Sequence, residues 1–273
     1  MKTLPFQALM DDAGKSRLDF VETLANFGFV KVSLPVGTLL DSLRGGIAEG
    51  DRMDTFRFPP VGEPAVYTDA HRNCFRALYR LGRGGLNWIL SCIEGASEPA
   101  AHLRRLLRSS DERSAELFAP DGLGHAPFTD GQIAAFSSSF FNIFDYEHGS
   151  LNGHKDRYLT TTIFASVSMD TAHERSALWV RGADDIWRNV DSTLGTNEVV
   201  FMIGEELEAL LSESGLGLFA ADHCIRVDPE GEFIERAHFR RDPTSLVGGN
   251  RVSAAFVLGD ESIEALLEER MRA

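Results

Sequence analysis

The sequence predicts a mainly β protein with helices: a helical N-terminal region followed by an antiparallel barrel or jelly roll. Two observations carry this reading. Apolar residues recur at helical spacing through much of residues 1–130, and from about residue 130 the texture changes to short β-branched and aromatic runs separated by Gly, Asp, Asn and Ser. Several short strands with few helices to cover both faces argue against a parallel sheet. The chain has 273 residues, 43% hydrophobic and 25% charged, which is enough for a sizeable core. No repeat, low-complexity tract or linker marks a second domain. We therefore read one domain over residues 1–273, with a helical region at 1–130, the jelly-roll core at 131–260 and a closing helix at 261–273.

In chain order, Leu18, Phe20, Val21, Leu24, Ala25 and Phe27 give an amphipathic helix from Ser16 to about Phe29, stopped by Gly28. Phe29–Val32, continuing to Leu34-Pro35, reads as a short strand that ends at a proline. Leu39–Ile47 is helical in pattern and residues 51–66 read as loop. Cys74, Leu78, Leu81, Leu86, Trp88, Ile89 and Cys92 give a helix from about Ala70 to Glu94, which Gly84-Gly85 should interrupt or kink. Ala135–Phe144, Tyr158–Val167, Ala177–Val180, Glu198–Ile203, Ala221–Val227 and Arg251–Leu258 are the expected strands.

The net charge of −14 repels phosphate backbones, so nucleic acid and anionic membranes are poor partners. No run reaches the roughly 18 apolar residues of a membrane span. Asp11 and Asp12 stand where a signal peptide would be apolar. A cytoplasmic protein is expected, acting on a small molecule, with no obligate protein partner evident. Cys74, Cys92 and Cys224 form no CxxC pair and are expected to be reduced thiols.

The most informative segment is Gly153-His154-Lys155-Asp156-Arg157-Tyr158-Leu159-Thr160, where a histidine and a carboxylate stand two apart at the mouth of a strand. Strand alternation puts both on one face. His223 lies in a later β run, and two imidazoles with one carboxylate can cap one face of an octahedral metal, leaving three positions open. By itself an HxD triplet arises easily in a chain with eight histidines, and a solvated loop histidine is the competing reading. His71, His102, His125, His148, His173 and His238 lack such partners, although His148 lies close in sequence to the triplet. Arg251 and Ser253 share one face of the last expected strand, and a guanidinium fork beside a hydroxyl suits a carboxylate. An exposed arginine at a strand start is the alternative.

Taken in order, these motifs resemble the isopenicillin N synthase-like branch of the Fe(II)/2-oxoglutarate-dependent oxygenases. The likeness extends to Gly28-Phe29-Val30-Lys31-Val32, Ser139–Phe144, Trp187-Arg188-Asn189-Val190 and Val199–Glu205, where Glu205 replaces the family's usual aspartate after a glycine. It implies a distorted double-stranded β-helix, with His154, Asp156 and His223 as iron ligands. Arg251, Ser253 and Asn142 would then hold 2-oxoglutarate, and O2 would be the co-reactant. Family members often carry a tyrosine where this chain has Phe144, so one cosubstrate hydrogen bond is missing or replaced. The hydroxyls of Tyr158 and Thr160 are candidates for the same pocket, and Arg157, Arg181 and Arg188 for anchoring substrate. The stretch 228–250 reads as an insertion that either covers substrate or is a solvated loop. The activity implied is hydroxylation, desaturation or cyclisation of a small molecule, as in secondary metabolism. Two alternatives stay open: an iron oxidase that does not use 2-oxoglutarate, and a metal-binding jelly-roll protein without turnover.

Overall fold

The structure, a computed structural model, describes residues 3–6, 8, 14–34, 55–57, 78, 81–82, 84–86, 88–92, 140–145, 151–167, 177–195, 197–212, 214–226 and 251–259. In chain order the elements are β1 (Thr3–Pro5), α1 (Gly14–Phe27), β2 (Val30–Ser33), β3 (Thr55–Arg57), β4 (Phe140–Asp145), β5 (Leu151–His154) and β6 (Thr160–Val167). There follow β7 (Ala177–Arg181), β8 (Trp187–Asn189), β9 (Glu198–Ile203), α2 (Glu205–Leu211), β10 (His223–Arg226) and β11 (Arg251–Leu258). A seven-stranded sheet has the order β1-β2-β9-β6-β11-β4-β3, and a four-stranded sheet the order β5-β10-β7-β8. Only β1 and β2 run parallel among the described strands. From β4 onward the chain crosses back and forth between the two sheets, with β7–β8 the one hairpin that stays in the same sheet. The expected β-rich second half is therefore present as two antiparallel sheets.

The sheets face one another across one apolar cluster. Ile163, Val200 and Met202 come from the larger sheet, and Leu178, Val180 and Ile225 from the smaller; Phe29, Val190 and Ala221 complete it. On the far side of the larger sheet, the ring of Phe20 from α1 packs edge-on against Trp88 at 5.3 Å and tilted against Phe201 of β9 at 5.2 Å. Strand β9 is buried on both faces for this reason, and its run Val199-Val200-Phe201-Met202-Ile203 is accordingly unbroken in its apolar character.

Several expectations are corrected. Leu18, on the expected buried stripe of α1, is 53% exposed; the stripe is Phe20, Val21 and Leu24. Gly84 and Gly85 are helical, and a side chain at Gly85 would lie 2.5 Å from the Phe201 ring, so the glycine serves close helix–sheet approach. Thr55–Arg57, within the stretch read as loop, is a strand paired with β4. Neither β1 nor α2 is among the elements expected from the sequence. The expected helices at Leu39–Ile47 and 261–273, the insertion 228–250 and His148 lie outside the described residues. Cys92 and Cys224 are free thiols. Among the described residues no helix is long and apolar enough to cross a membrane.

Gly28 does end the first helix. Its amide donates to Leu24 O at 2.8 Å and its φ is +74°, the left-handed conformation favoured at this capping position. A side chain there would also meet Ala221 Cβ at 2.4 Å, which places the helix end directly against the strand lead-in to His223. Nearby, the buried Lys31 ammonium donates to Thr193 O at 2.6 Å and pairs with Glu198 at 3.5 Å, tying β2 to β9 and to the turn before it.

Candidate metal centre

Strands β5 and β10 pair antiparallel with His154 directly opposite His223, an arrangement that puts the two side chains on one face of the sheet, neighbours across the ladder. Their ring centroids are 4.2 Å apart. His223 also pairs with Val180 of β7, a member of the apolar cluster, so its ring faces the interior and its side chain is only 6% exposed. Asp156 lies just beyond β5. Its Oδ1 is 3.6 Å from His154 Nε2 and its Oδ2 is 3.6 Å from His223 Nε2. One ligand atom from each of the three lies within 4.8 Å of the others, and among the described residues this is the one such group of His, Cys, Asp or Glu.

The donor set and its protonation suit a divalent metal. His223 Nδ1 is 3.2 Å from Ala221 O; a carbonyl only accepts, so Nδ1 carries the proton and Nε2 presents its lone pair towards Asp156. Burial pushes the Asp156 carboxyl up, but the nearby His223 and His154 imidazoles and the Thr161 hydroxyl hold it well below the usual carboxylate range. Burial also pushes the His223 imidazole below its ordinary value, against the opposing pull of Asp156. The carboxylate is thus ionised, and burial favours the neutral form of the His223 imidazole; these are the forms that bind metal. In the metal-free protein, an imidazole NMR titration should place the His223 midpoint below pH about 6.5, where an ordinary histidine titrates. A His223 midpoint at or above that value would contradict the burial. A base with a lowered folded pKa binds fewer protons folded than unfolded, so this residue withdraws stability as the pH falls through the unfolded value.

The four-residue link from Asp156 to Leu159 has no strand or helix of its own, and the segment Gly204–Glu208 holds it in place. Gly204 N donates to Leu159 O at 2.9 Å, Glu205 N to Asp156 O at 2.8 Å and Glu206 N to Arg157 O at 2.9 Å. Lys155 pairs with Glu208 at 3.6 Å and Arg157 with Glu206 at 3.3 Å. The charges flanking Asp156 therefore turn outward to α2 while the carboxylate turns inward.

Of the other candidates, Arg157 is 80% exposed and bound to Glu206, Arg181 pairs with Asp185, and Arg188 grips Asp184 and lies over the Phe27 ring at 5.1 Å. None of the three faces the triad. Thr160 Oγ1 would contact a side chain at Gly82, on the helical side of the sheet; Thr161, one residue on, is the buried hydroxyl beside Asp156. Arg251 pairs with Val167, Ser253 with Ala165 and Phe144, and Asn142 with Ala255 and Thr55. By pleat alternation these positions share the face of Ala255, which packs against the apolar cluster.

No protein-family model and no curated protein matches the chain. Solved structures do. A provisionally assigned oxygenase from Shewanella oneidensis superposes with a TM-score of 0.54 at 17% identity, covering 100% of this chain and 98% of that one. A full-length Neurospora crassa protein, in complex with alpha-KG and 5-formyluracil, gives 0.52 at 11% identity over 94% of this chain and 83% of its own. A provisionally assigned 2OG-Fe(II) oxygenase family protein from Caulobacter crescentus gives 0.51 at 13% identity over 95% and 86%. The chain shares the fold of these proteins.

Proposed function

We propose that the protein is a non-haem Fe(II)- and 2-oxoglutarate-dependent dioxygenase that oxidises a small organic substrate in the cytoplasm, in a reaction of secondary metabolism. The observation that carries the reading is the cross-strand pair His154–His223 with the Asp156 carboxylate 3.6 Å from each ring. Three donors from one side leave the opposite positions of an octahedral ion for small ligands. The alternation of strands between two sheets supports a distorted double-stranded β-helix as the scaffold, with the triad between its sheets. The isopenicillin N synthase-like branch is the assignment the motif order supports.

Each residue has a role in this reading. His154, Asp156 and His223 hold the iron, with Ala221 O fixing the His223 tautomer. Arg251 supplies a planar fork to the distal carboxylate of 2-oxoglutarate, Ser253 a hydroxyl beside it, and Asn142 a further polar group two strand positions before Phe144. When bound, iron and 2-oxoglutarate together supply the activation of O2, 2-oxoglutarate leaving as succinate and CO2 while the substrate is hydroxylated, desaturated or cyclised. The apolar residues behind the triad, Val180 and Ile225 among them, exclude water from the interior side.

The test is O2 consumption and succinate formation by the purified protein with Fe(II) and 2-oxoglutarate. Turnover that needs both supports the reading. O2 consumption with Fe(II) but without succinate would assign an oxidase independent of 2-oxoglutarate, and metal binding with no O2 consumption for any candidate substrate would assign a non-catalytic protein.

A further inference from the structure

Asp156 supplies the triad's carboxylate from a link with no secondary structure, although a ligand carboxylate must be held to within a fraction of an ångström. We propose that the turn Gly204-Glu205-Glu206 is the positioning element of this centre, fixing Asp156 through its backbone amides and through the absence of a side chain at 204. This rests on the metal-centre reading above and adds residues to it that touch no ligand.

Three consecutive amides, those of Gly204, Glu205 and Glu206, are used on the carbonyls of Leu159, Asp156 and Arg157. They are among the first amides of α2, which have no partner within a helix, so the link receives them and the helix start is satisfied in the same contacts. A side chain at Gly204 would stand 1.8 Å from Tyr158 O, 2.7 Å from Tyr158 C and 2.9 Å from Asp156 O. All of these are backbone atoms, so no rotamer change relieves the overlap and the link itself must move. The φ of Gly204 is −101°, so its need for glycine is one of space. α2 is in turn anchored by the buried Leu207, Leu210 and Leu211, which makes it a rigid reference for the link.

The exposed Glu205 gives a separable test. Proline is well tolerated at the first position of a helix, and the extended conformation of Gly204 (ψ 173°) suits a residue before proline. Glu205→Pro therefore leaves α2 intact, removes the amide bonded to Asp156 O and places ring carbon against that oxygen. Anaerobic calorimetric titration with Fe(II) alone should show the dissociation constant of Glu205→Pro raised at least about tenfold, the scale of losing a group that orients a ligand. Glu205→Ala, which keeps the amide, should stay within about twofold of wild type, with metal-free melting temperatures close for all three proteins. In the wild-type protein, Fe(II) should also slow hydrogen exchange of the 204–206 amides, because positioning and binding are linked in both directions. A Glu205→Pro constant equal to wild type, or exchange at 204–206 indifferent to Fe(II), would overturn the inference. Failure of the wild-type protein to bind Fe(II) would instead overturn the metal-centre reading beneath it.

Discussion

Replacing His223 by alanine should cost far more than tenfold in Fe(II) affinity, at about 1.4 kcal/mol per decade. Groups that only orient a metal ligand are worth about 10–100-fold, and in the proposed reading His223 is a donor itself, with its proton on the side of Ala221 O. Two donors would remain, His154 and Asp156, on an edge strand and a link. The ring is buried, so its loss leaves a cavity beside Val180 as well, and the metal-free melting temperature must be recorded to separate the two effects. Excess free imidazole should restore part of the affinity by filling the cavity with the missing donor. An Fe(II) titration indistinguishable from wild type would show that His223 is not a ligand.

That these three residues could be singled out beforehand follows from how they are built. His223 begins a strand whose apolar surroundings are legible, whereas β5, Leu151-Asn152-Gly153-His154, is too short and polar to read as a strand and exists by pairing with β10. Asp156 is legible only by its spacing. The expectation that strand alternation carries it onto the face of His154 is incorrect in detail: β5 ends at His154, and the carboxylate reaches the site from a link held by Gly204–Glu206. The break resets the alternation. A count of face positions from Asp156 reaches Thr160, but β6 begins at Thr160, and the hydroxyl that meets the carboxylate is that of Thr161.

The elements that escaped the sequence reading are those whose structure is fixed by a partner. β1 and β3 have three residues each, too few for an alternation to appear, and exist because β2 and β4 offer open edges. Pro5 can end β1 because β1 lies at the sheet edge, where a missing donor is harmless. α2 is two turns long, too short for a helical period to stand out after β9. Gly204 separates the two, and its part in the site depends on a contact with residues 156 and 158 that spacing does not encode.

Arg251→Ala should raise the 2-oxoglutarate concentration needed for half-maximal succinate formation by at least about 30-fold. In the proposed reading the distal carboxylate of the cosubstrate sits away from water against Arg251, and removing the guanidinium would leave it desolvated and unpaired, a loss on the order of 2–5 kcal/mol. Arg251→Lys should recover only part, because an ammonium restores charge without the two-pronged geometry. Phe144 sharpens the dependence. It pairs with Ser253 in the β4–β11 ladder, beside the proposed carboxylate position, and a phenyl ring has no hydroxyl to share the anion. Iron binding should be nearly unchanged in both variants, since Arg251 stands on β11 of the larger sheet while the triad is carried by β5, β10 and the link after β5. Succinate formed against 2-oxoglutarate concentration, measured beside an Fe(II) titration of the same protein, separates the outcomes. Superimposable saturation curves for wild type and Arg251→Ala would place the carboxylate elsewhere, and a parallel loss of iron would mean that the substitution disturbs the fold between the sheets.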